Sequence, residues 1–135
     1  MASKRQVLVC DDEPHILRAA EFKFRRAGYD VICASDGQEA WERIEQSRPD
    51  AVITDCQMPR LNGLQLAERI QQDERTRGIP VLMLTAKGFE LSAGKLREEF
   101  NIVEVLSKPF SPRDLLERVE TVLDAVQGAL DEAGK

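Results

Sequence analysis

An apolar run that ends in acidic residues lies near the start of the chain: VLVCDDEP, residues 7–14. Four consecutive apolar residues, without alternation between apolar and polar, are typical of a strand covered on both faces of a parallel sheet. Asp11, Asp12 and Glu13 then fall at the carboxyl end of that strand. The stretch therefore predicts the first strand of an α/β sheet, with negative charge gathered at its end.

The same kind of apolar run recurs four more times. Short runs alternate with segments whose apolar residues repeat about every 3.6 positions, as in consecutive β-α units. The predicted strands are residues 7–10, 31–34, 51–54, 81–84 and 102–106. The first three helical stripes consist of Leu17, Ala20, Phe24 and Ala27, then Ala40, Trp41 and Ile44, then Gly63, Leu66, Ala67 and Ile70. Helices are therefore expected to cover a parallel five-stranded sheet.

The ends of several helices are marked by turn residues. Gly28 and the Arg48-Pro49 pair fall where the first two helices should stop. Ser111 can cap the last helix, with Pro112 in its first turn and Asp114 as the acceptor of a capping box. Its predicted buried stripe is Leu115, Leu116, Val119, Leu123 and Val126.

Two C-terminal segments give weaker patterns. We predict that the last helix ends near Gln127 or Gly128, and that residues 129–135 form a polar, frayed tail. In the fourth helix, Gly88 and Gly94 interrupt a sparse apolar set, so this helix is predicted to be mobile. The apolar residues of that set are Leu91, Leu96 and Phe100.

Composition limits the class of protein. The 135 residues fit one domain, and 42% hydrophobic with 32% charged residues suit a single solvated core. A net charge of -5 repels a phosphate backbone, so direct nucleic-acid binding is not expected. Cys10, Cys33 and Cys56 show no metal-ligand spacing, and neither a secretion signal nor a membrane span is recognisable. A cytoplasmic protein without membrane insertion is expected.

Polar residues follow several predicted strands, where open α/β sheets bind their ligands. Besides the acidic residues after the first strand, these are Asp55 after the third, Thr85 after the fourth, and Ser107 and Lys108 after the fifth. Ser35 and Asp36, after the second strand, are interpreted as turn and cap residues.

Three aspartates at one sheet edge repel each other, which raises the pKa of at least one of them unless a cation is bound. Magnesium suits the site, because one or two carboxylates, water and a phosphate commonly hold it. A strand-end carboxylate can then attack a phosphoryl group. Lys108 would neutralise the transferred oxygens and Thr85 would donate a hydrogen bond to one of them.

Four segments together resemble the response-regulator receiver (CheY-like) family over residues 4–126: the opening VLVCDDEP, AVITDCQMPRLNG at 51–63, VLMLTAK at 81–87 and LSKPF at 106–110. The resemblance implies a flavodoxin-like (βα)5 fold, a doubly wound three-layer sandwich with strand order 2-1-3-4-5. It assigns residues 1–128 to the receiver domain.

The resemblance also implies residue roles. Asp55 would be the phospho-acceptor, and Mg²⁺ would be held by Asp12 directly, by Asp11 mainly through water, by Asp55 and by the backbone carbonyl of Gln57. The hydroxyl of Thr85 would move toward the phosphate, and Lys108 would form an ion pair with the phosphate. The Lys108-Pro109 peptide is expected to be cis, as is usual in the family.

The sequence departs from the family pattern at a residue that would transmit phosphorylation to the binding surface. Val105, three residues before Lys108, stands where many receivers carry an aromatic residue that moves with the threonine. Residues 88–105 also lack the usual lead-in to the fifth strand. A pseudo-receiver that binds partners without phosphorylation is therefore one alternative. A haloacid-dehalogenase-like phosphatase and a flavodoxin-like electron carrier are others that fit less well.

Several polar residues near the predicted site allow two interpretations. His15 is interpreted as a solvated helix-start residue rather than a metal ligand or phosphate relay. Cys10 and Cys56 are interpreted as core-facing side chains rather than a redox pair. The long side chains of Gln57 and Lys87 are hypothesised to hinder attack by water on the phosphorylated state.

The expected function is that of a stand-alone response regulator. A histidine kinase, a phosphotransfer protein or acetyl phosphate would phosphorylate Asp55 and shift the population toward an active surface. Such a protein is a switch rather than an enzyme, apart from catalysing its own phosphorylation and dephosphorylation. The surface of the fourth helix, fifth strand and last helix would dock an effector protein or form a homodimer.

Overall fold

The computed structural model describes residues 4–58, 60–86 and 93–133. Five strands alternate with five helices along the chain. The strands are β1 (Gln6–Cys10), β2 (Asp30–Ala34), β3 (Ala51–Asp55), β4 (Val81–Thr85) and β5 (Ile102–Ser107). The helices are α1 (Pro14–Arg26), α2 (Gly37–Gln46), α3 (Gly63–Gln72), α4 (Ala93–Phe100) and α5 (Pro112–Ala133). Each predicted strand is confirmed to within one residue at either end.

The strands form one parallel sheet in the order β2-β1-β3-β4-β5. The predicted order 2-1-3-4-5 is therefore confirmed. The strand order reverses between β1 and β3, the position where doubly wound folds bind their ligands. The register between β4 and β5 shifts after Val81, which places Ser107 opposite Thr85 and Lys108 just beyond it.

Alternate residues of the strands supply two core layers, one on each face of the sheet. On one face, Leu8, Val52 and Met83 pack against α2, α3 and α4. On the other face, Val9 and Ile53 pack against α1 and α5. The predicted stripes of α2 and α3 are buried, and so are Ala20 and Phe24 of α1 and Leu115, Val119 and Leu123 of α5. The molecule is thus a three-layer sandwich, as expected.

Most predicted caps are present. The Ser111 hydroxyl accepts a hydrogen bond from the Asp114 amide at 2.9 Å, and Asp36 likewise caps α2 through the Glu39 amide at 2.8 Å. Gly28 ends α1 with a φ of 94°, a conformation that glycine adopts without steric cost. The Lys108-Pro109 peptide is cis, as the resemblance implied.

The predicted end of α5 is wrong. The helix does not stop at Gln127 or Gly128 but continues to Ala133, so residues 129–133 are helical rather than a frayed tail. Gly128 lies inside the helix, because a helical glycine costs only about 1 kcal/mol relative to alanine and does not by itself end a helix. Val126, predicted to be buried, is 38% exposed.

Helix α4 is the shortest of the five, and Leu96 is its buried residue among those described. Lys87, Gly88 and Leu91 lie outside the described residues, so the hypothesis for Lys87 and the interrupted start of this helix stay predictions. In the ranges 4–58, 60–86 and 93–133, no helix combines the length and apolar character needed to cross a bilayer.

Candidate functional site

Three aspartates meet where β1 and β3 end. Asp11 and Asp12 follow β1, Asp55 is the last residue of β3, and each offers an oxygen within 4.8 Å of the others. Asp11 is fully buried and Asp55 is 7% exposed, whereas Asp12 is exposed. Parallel neighbouring strands bring the three carboxylates to one edge, as the sequence predicted.

Lys108 reaches this cluster from the loop after β5. Its Nζ lies 2.9 Å from Asp11 Oδ2, 3.5 Å from Asp55 Oδ1 and 3.5 Å from Glu13 Oε1. The Asp11 carboxylate also accepts a hydrogen bond from the Glu13 amide at 2.9 Å. One ammonium group is therefore shared among three carboxylates. The contact with Glu13 was not predicted, although its place in the acidic run after β1 was a signal for it.

Burial and charge act together on the pKa values at this site. Burial is the largest cause that raises the pKa of Asp55, and the charges of Asp11 and Asp12 add to it, while Lys108 lowers it in part. For Lys108, burial lowers the pKa, but hydrogen bonding and attraction to Asp11, together with Asp55 and Glu13, raise it on balance. Lys108 is thus held in its charged form beside carboxylates that it only partly neutralises.

Thr85 ends β4 beside this cluster and is 8% exposed. Its backbone carbonyl accepts a hydrogen bond of 2.7 Å from the Lys108 amide, next to the pair formed by Thr85 and Ser107. The backbone of the lysine is therefore fixed to the strand that carries the threonine. The site residues Asp55, Thr85 and Lys108 lie on three adjacent strands or the loops directly after them.

The loop after β3 is held down by close backbone contacts. The Cys56 amide donates to the Leu84 carbonyl at 2.8 Å, and the Gly63 amide donates to the Cys56 carbonyl at 2.9 Å. A side chain at Gly63 would collide with the Asp55 carbonyl oxygen. Only glycine permits this approach of α3 to the strand end, so the start of α3 holds the backbone of Asp55 in place.

Two further contacts of this loop were not predicted. Arg60 forms an ion pair of 3.0 Å with Asp36, the N-cap of α2, and Arg60 itself has a positive φ of 68°. The sulfur of Met58 contacts the Cys10 thiol at 3.2 Å. No sequence signal pairs these residues, because each contact joins segments that are distant along the chain.

The other residues considered from the sequence lie at a helix start, in the core layer or in the loop after β3. His15 is exposed at the start of α1, 3.3 Å from Glu13 Oε2. Cys10 is fully buried and Cys56 is half-buried, and both belong to or pack on the core layer against α2, α3 and α4. Val105 is half-buried on that same layer. The side chain of Gln57 is exposed.

The sequence matches a known protein family over most of its length. A family model described as response regulator receiver domain matches residues 7–120. The chain belongs to the response-regulator receiver family. This membership excludes the phosphatase and electron-carrier alternatives considered from the sequence.

Two curated relatives of the receiver are bacterial regulators. The chain is 38% identical over 119 residues to the alkaline phosphatase synthesis transcriptional regulatory protein PhoP of Bacillus subtilis, covering 88% of this chain and 48% of that protein. It is 37% identical over 120 residues to the phosphate regulon transcriptional regulatory protein PhoB of Pseudomonas aeruginosa, covering 88% and 52%. The chain therefore spans about half the length of the curated relatives it matches.

Solved receiver structures superpose over nearly their full length. A response regulator from Chloroflexus aurantiacus matches with a TM-score of 0.80 at 35% identity, over 90% of this chain and 99% of that one. The chemotaxis response regulator CheY4 of Vibrio cholerae matches with a TM-score of 0.79 at 30% identity, over 89% and 99%. Family and fold, both predicted from the sequence, are thereby confirmed.

The acidic cluster of this receiver fits a magnesium ion. It offers hard carboxylate oxygens from Asp11, Asp12 and Asp55 within the span of one coordination sphere. Burial and the negative charges of Asp11 and Asp12 raise the pKa of Asp55. A bound divalent cation would stabilise the ionised carboxylate. The residues present therefore suit the ion that receivers typically bind.

Proposed function

We propose that this receiver accepts a phosphoryl group on Asp55 in a magnesium-dependent reaction and passes the change to a protein-binding surface. The convergence of Asp11, Asp12, Asp55 and Lys108 at one sheet edge carries the proposal. Asp12, Asp11, Asp55 and the Gln57 carbonyl would hold Mg²⁺. Bound there, the ion supplies positive charge that offsets the carboxylates and the oxygens of an incoming phosphate.

Asp55 is the nucleophile of the proposed reaction. A carboxylate oxygen attacks the phosphorus atom of the donor, a bond between phosphorus and oxygen forms, and the bond from phosphorus to the leaving group breaks. With acetyl phosphate, acetate leaves with the bonding electrons. A phosphohistidine of a histidine kinase or phosphotransfer protein would donate in the same way, with the imidazole as leaving group.

Lys108 and Thr85 would stabilise the product. Lys108 already lies within 3.5 Å of Asp55, so its ammonium can turn from the carboxylates to a phosphoryl oxygen with little movement. Thr85 can donate its hydroxyl to another phosphoryl oxygen. Because the Lys108 amide is bonded to the Thr85 carbonyl, the two residues would respond to the phosphate together.

The response would leave through α4, β5 and α5. Lys108 follows β5 and lies three residues before Ser111, the cap of α5, so a shift at Lys108 reaches this surface through the backbone. Val105 takes part as a half-buried residue beneath α4, in place of a rotating aromatic ring. An effector protein or a second copy would bind the altered surface.

Intact-protein mass spectrometry tests the proposal. The protein is incubated with acetyl phosphate and Mg²⁺, and we expect the addition of one phosphoryl group that hydroxylamine removes, as for an acyl phosphate. Asp55→Asn should show no addition. Asp30→Asn, at the amino end of β2 and away from the site, should behave as the wild type. A folded wild type that stays unmodified, with kinase as well as acetyl phosphate, would indicate a pseudo-receiver instead.

A further inference from the structure

Helix α5 is much longer than the sheet that it covers. Its 22 residues extend over roughly 33 Å at 1.5 Å per residue, whereas strands of 5 or 6 residues span roughly 17–20 Å. By comparison, α2 and α3 have 10 residues each. The helix starts at the carboxyl ends of the strands, where Asp55 lies, so its final turns project beyond the amino ends of the strands.

The projecting turns keep the apolar stripe of the helix. Leu116, Val119, Leu123, Val126 and Leu130 alternate spacings of three and four residues, the repeat of a helix that packs along its length. Leu116 is partly buried and Val119 and Leu123 are buried, but Val126 is 38% and Leu130 is 62% exposed. Val126 and Leu130 are two of the three exposed large hydrophobic side chains in the described part of the chain.

These residues form one wall of a groove of about 730 Å³ at the amino ends of the strands. Ile79 and Pro80, in the loop before β4, line its apolar part. Its rim carries three basic residues and one acidic residue: Lys4, Arg5, Arg48 and Asp50. The volume lies within the range of clefts that take up side chains or small ligands. We call this feature the amino-edge groove.

The amino-edge groove and the end of α5 carry opposite charges. Between Arg118 and Lys135 the helix contains no lysine or arginine, and its acidic residues are Glu120, Asp124, Asp131 and Glu132. Within one chain, Arg5 of the groove forms an ion pair of 2.8 Å with Asp124 of α5. Lys4 and Arg48 add further positive charge to the rim.

We propose that the amino-edge groove binds the projecting end of α5 from a second copy of this chain. Each copy carries both a groove and a helix end, so a two-fold axis lets both contacts form at once. Val126 and Leu130 of each copy would be buried, and the acidic helix end would lie beside Lys4 and Arg48 of the other. Simple parallel pairing of two helix ends is less favourable, since it would gather acidic residues of both chains without basic partners.

Sedimentation velocity tests the proposal on the unphosphorylated 135-residue protein in the presence of a chelator. Under these conditions the proposed phosphorylation plays no part, so the two proposals fail separately. We expect a monomer–dimer equilibrium between micromolar and millimolar concentrations. Leu130→Glu should raise the dissociation constant at least about tenfold, because it places a charge in the apolar contact. A wild type that stays monomeric throughout would overturn the proposal.

Three controls make the result specific. Phe22→Glu changes a side chain of similar exposure, 64%, on α1, and should leave the dissociation constant within about twofold. Lys4→Glu should raise the constant several-fold while Lys4→Arg should not, and added salt should weaken the dimer. If Leu130→Glu abolished the dimer but Lys4→Glu and salt had no effect, pairing of the helices alone would replace binding in the groove.

Discussion

Lys108 Nζ lies 2.9 Å from Asp11 Oδ2, closer than the 3.5 Å that separates it from Asp55 Oδ1. Asp11 is fully buried, and the lysine side chain is only 13% exposed. In this arrangement, therefore, the lysine mainly neutralises the buried aspartate rather than the proposed acceptor. Lys108 consequently supports the fold as well as the proposed chemistry, and the two roles can be measured separately.

Lys108→Met should destabilise the metal-free protein. It leaves the Asp11 carboxylate buried without its ammonium partner, which we expect to cost about 1–3 kcal/mol, less than in a fully closed core because the site borders on solvent. Magnesium should recover more stability in the variant than in the wild type. Urea unfolding with chelator and with Mg²⁺ measures both effects, and Lys23→Met on α1 is the control. Equal stability of variant and wild type in chelator would contradict the assignment.

Asp55→Asn should stabilise the metal-free protein near neutral pH. Burial and the neighbouring aspartates raise the pKa of Asp55, so its ionised form opposes folding at pH values above that raised pKa. The penalty disappears as the pH falls and the wild-type carboxyl becomes protonated. Thermal unfolding should show a gain of a few degrees at pH 7, the effect of roughly 1 kcal/mol, and a smaller gain in acid. A gain that stayed constant with pH would exclude this electrostatic cause.

Gly63→Ala and Gly128→Ala should have opposite effects on stability. At Gly63 the new methyl group would overlap the Asp55 carbonyl oxygen, and overpacking of this kind costs about 1–3 kcal/mol. At Gly128 a methyl group meets nothing within 4 Å, so alanine should gain up to about 1 kcal/mol from helix propensity. Urea unfolding compares them. If Gly63→Ala were neutral, the start of α3 could not be what holds the backbone of Asp55 in place.

Asp73 should titrate well below an ordinary aspartate. Hydrogen bonds from the Arg75 side chain and backbone amide lower its pKa to about 2. The stabilisation is therefore present above the ordinary pKa and is lost as the pH falls through about 2. NMR titration of the carboxyl carbon should give this pKa, and Arg75→Ala should raise it. Arg77→Ala removes a neighbouring charge only and should change it much less.

The thiols should react slowly in the native state. Burial is the main cause that raises the pKa of Cys10, and it also raises those of Cys33 and Cys56. Only the thiolate attacks an alkylating reagent, so a raised pKa and limited access both slow the reaction. Timed iodoacetamide labelling with mass spectrometry should show Cys10 as the slowest residue. Rapid labelling of Cys10 in folded protein would contradict its position in the core.

Sequence patterns located the strands and the site because both depend on local residue order. An apolar run such as residues 7–10 specifies a buried strand, and parallel pairing then brings Asp11 and Asp55 to the same edge whatever the loops do. The sharing of Lys108 among three carboxylates was less predictable. Side-chain distances depend on the loop after β5, whose conformation no periodicity encodes.

Two glycines show where sequence reasoning reaches its limit. Gly28 ends α1 in a left-handed conformation, whereas Gly128 lies inside α5. Both follow an apolar helical stripe, so sequence alone suggested the same outcome. The residues after each glycine determine whether the helix ends there. Tyr29 is buried and leads into β2, whereas Leu130 continues the helical repeat. The contact between Arg60 and Asp36 was missed for a related reason, since it joins two loops that meet only in the folded protein.

The packing of α5 on the sheet is uneven along the length of the helix. Its first half is packed on the sheet through Leu115, Val119 and Leu123, whereas its last turns border the amino-edge groove. A tilt of about 10° around Val119 would displace the last turn of the helix by roughly 4 Å but its first residue by only about 2 Å. Any tilt of α5 would therefore displace the helix more at the amino-edge groove than beside Lys108.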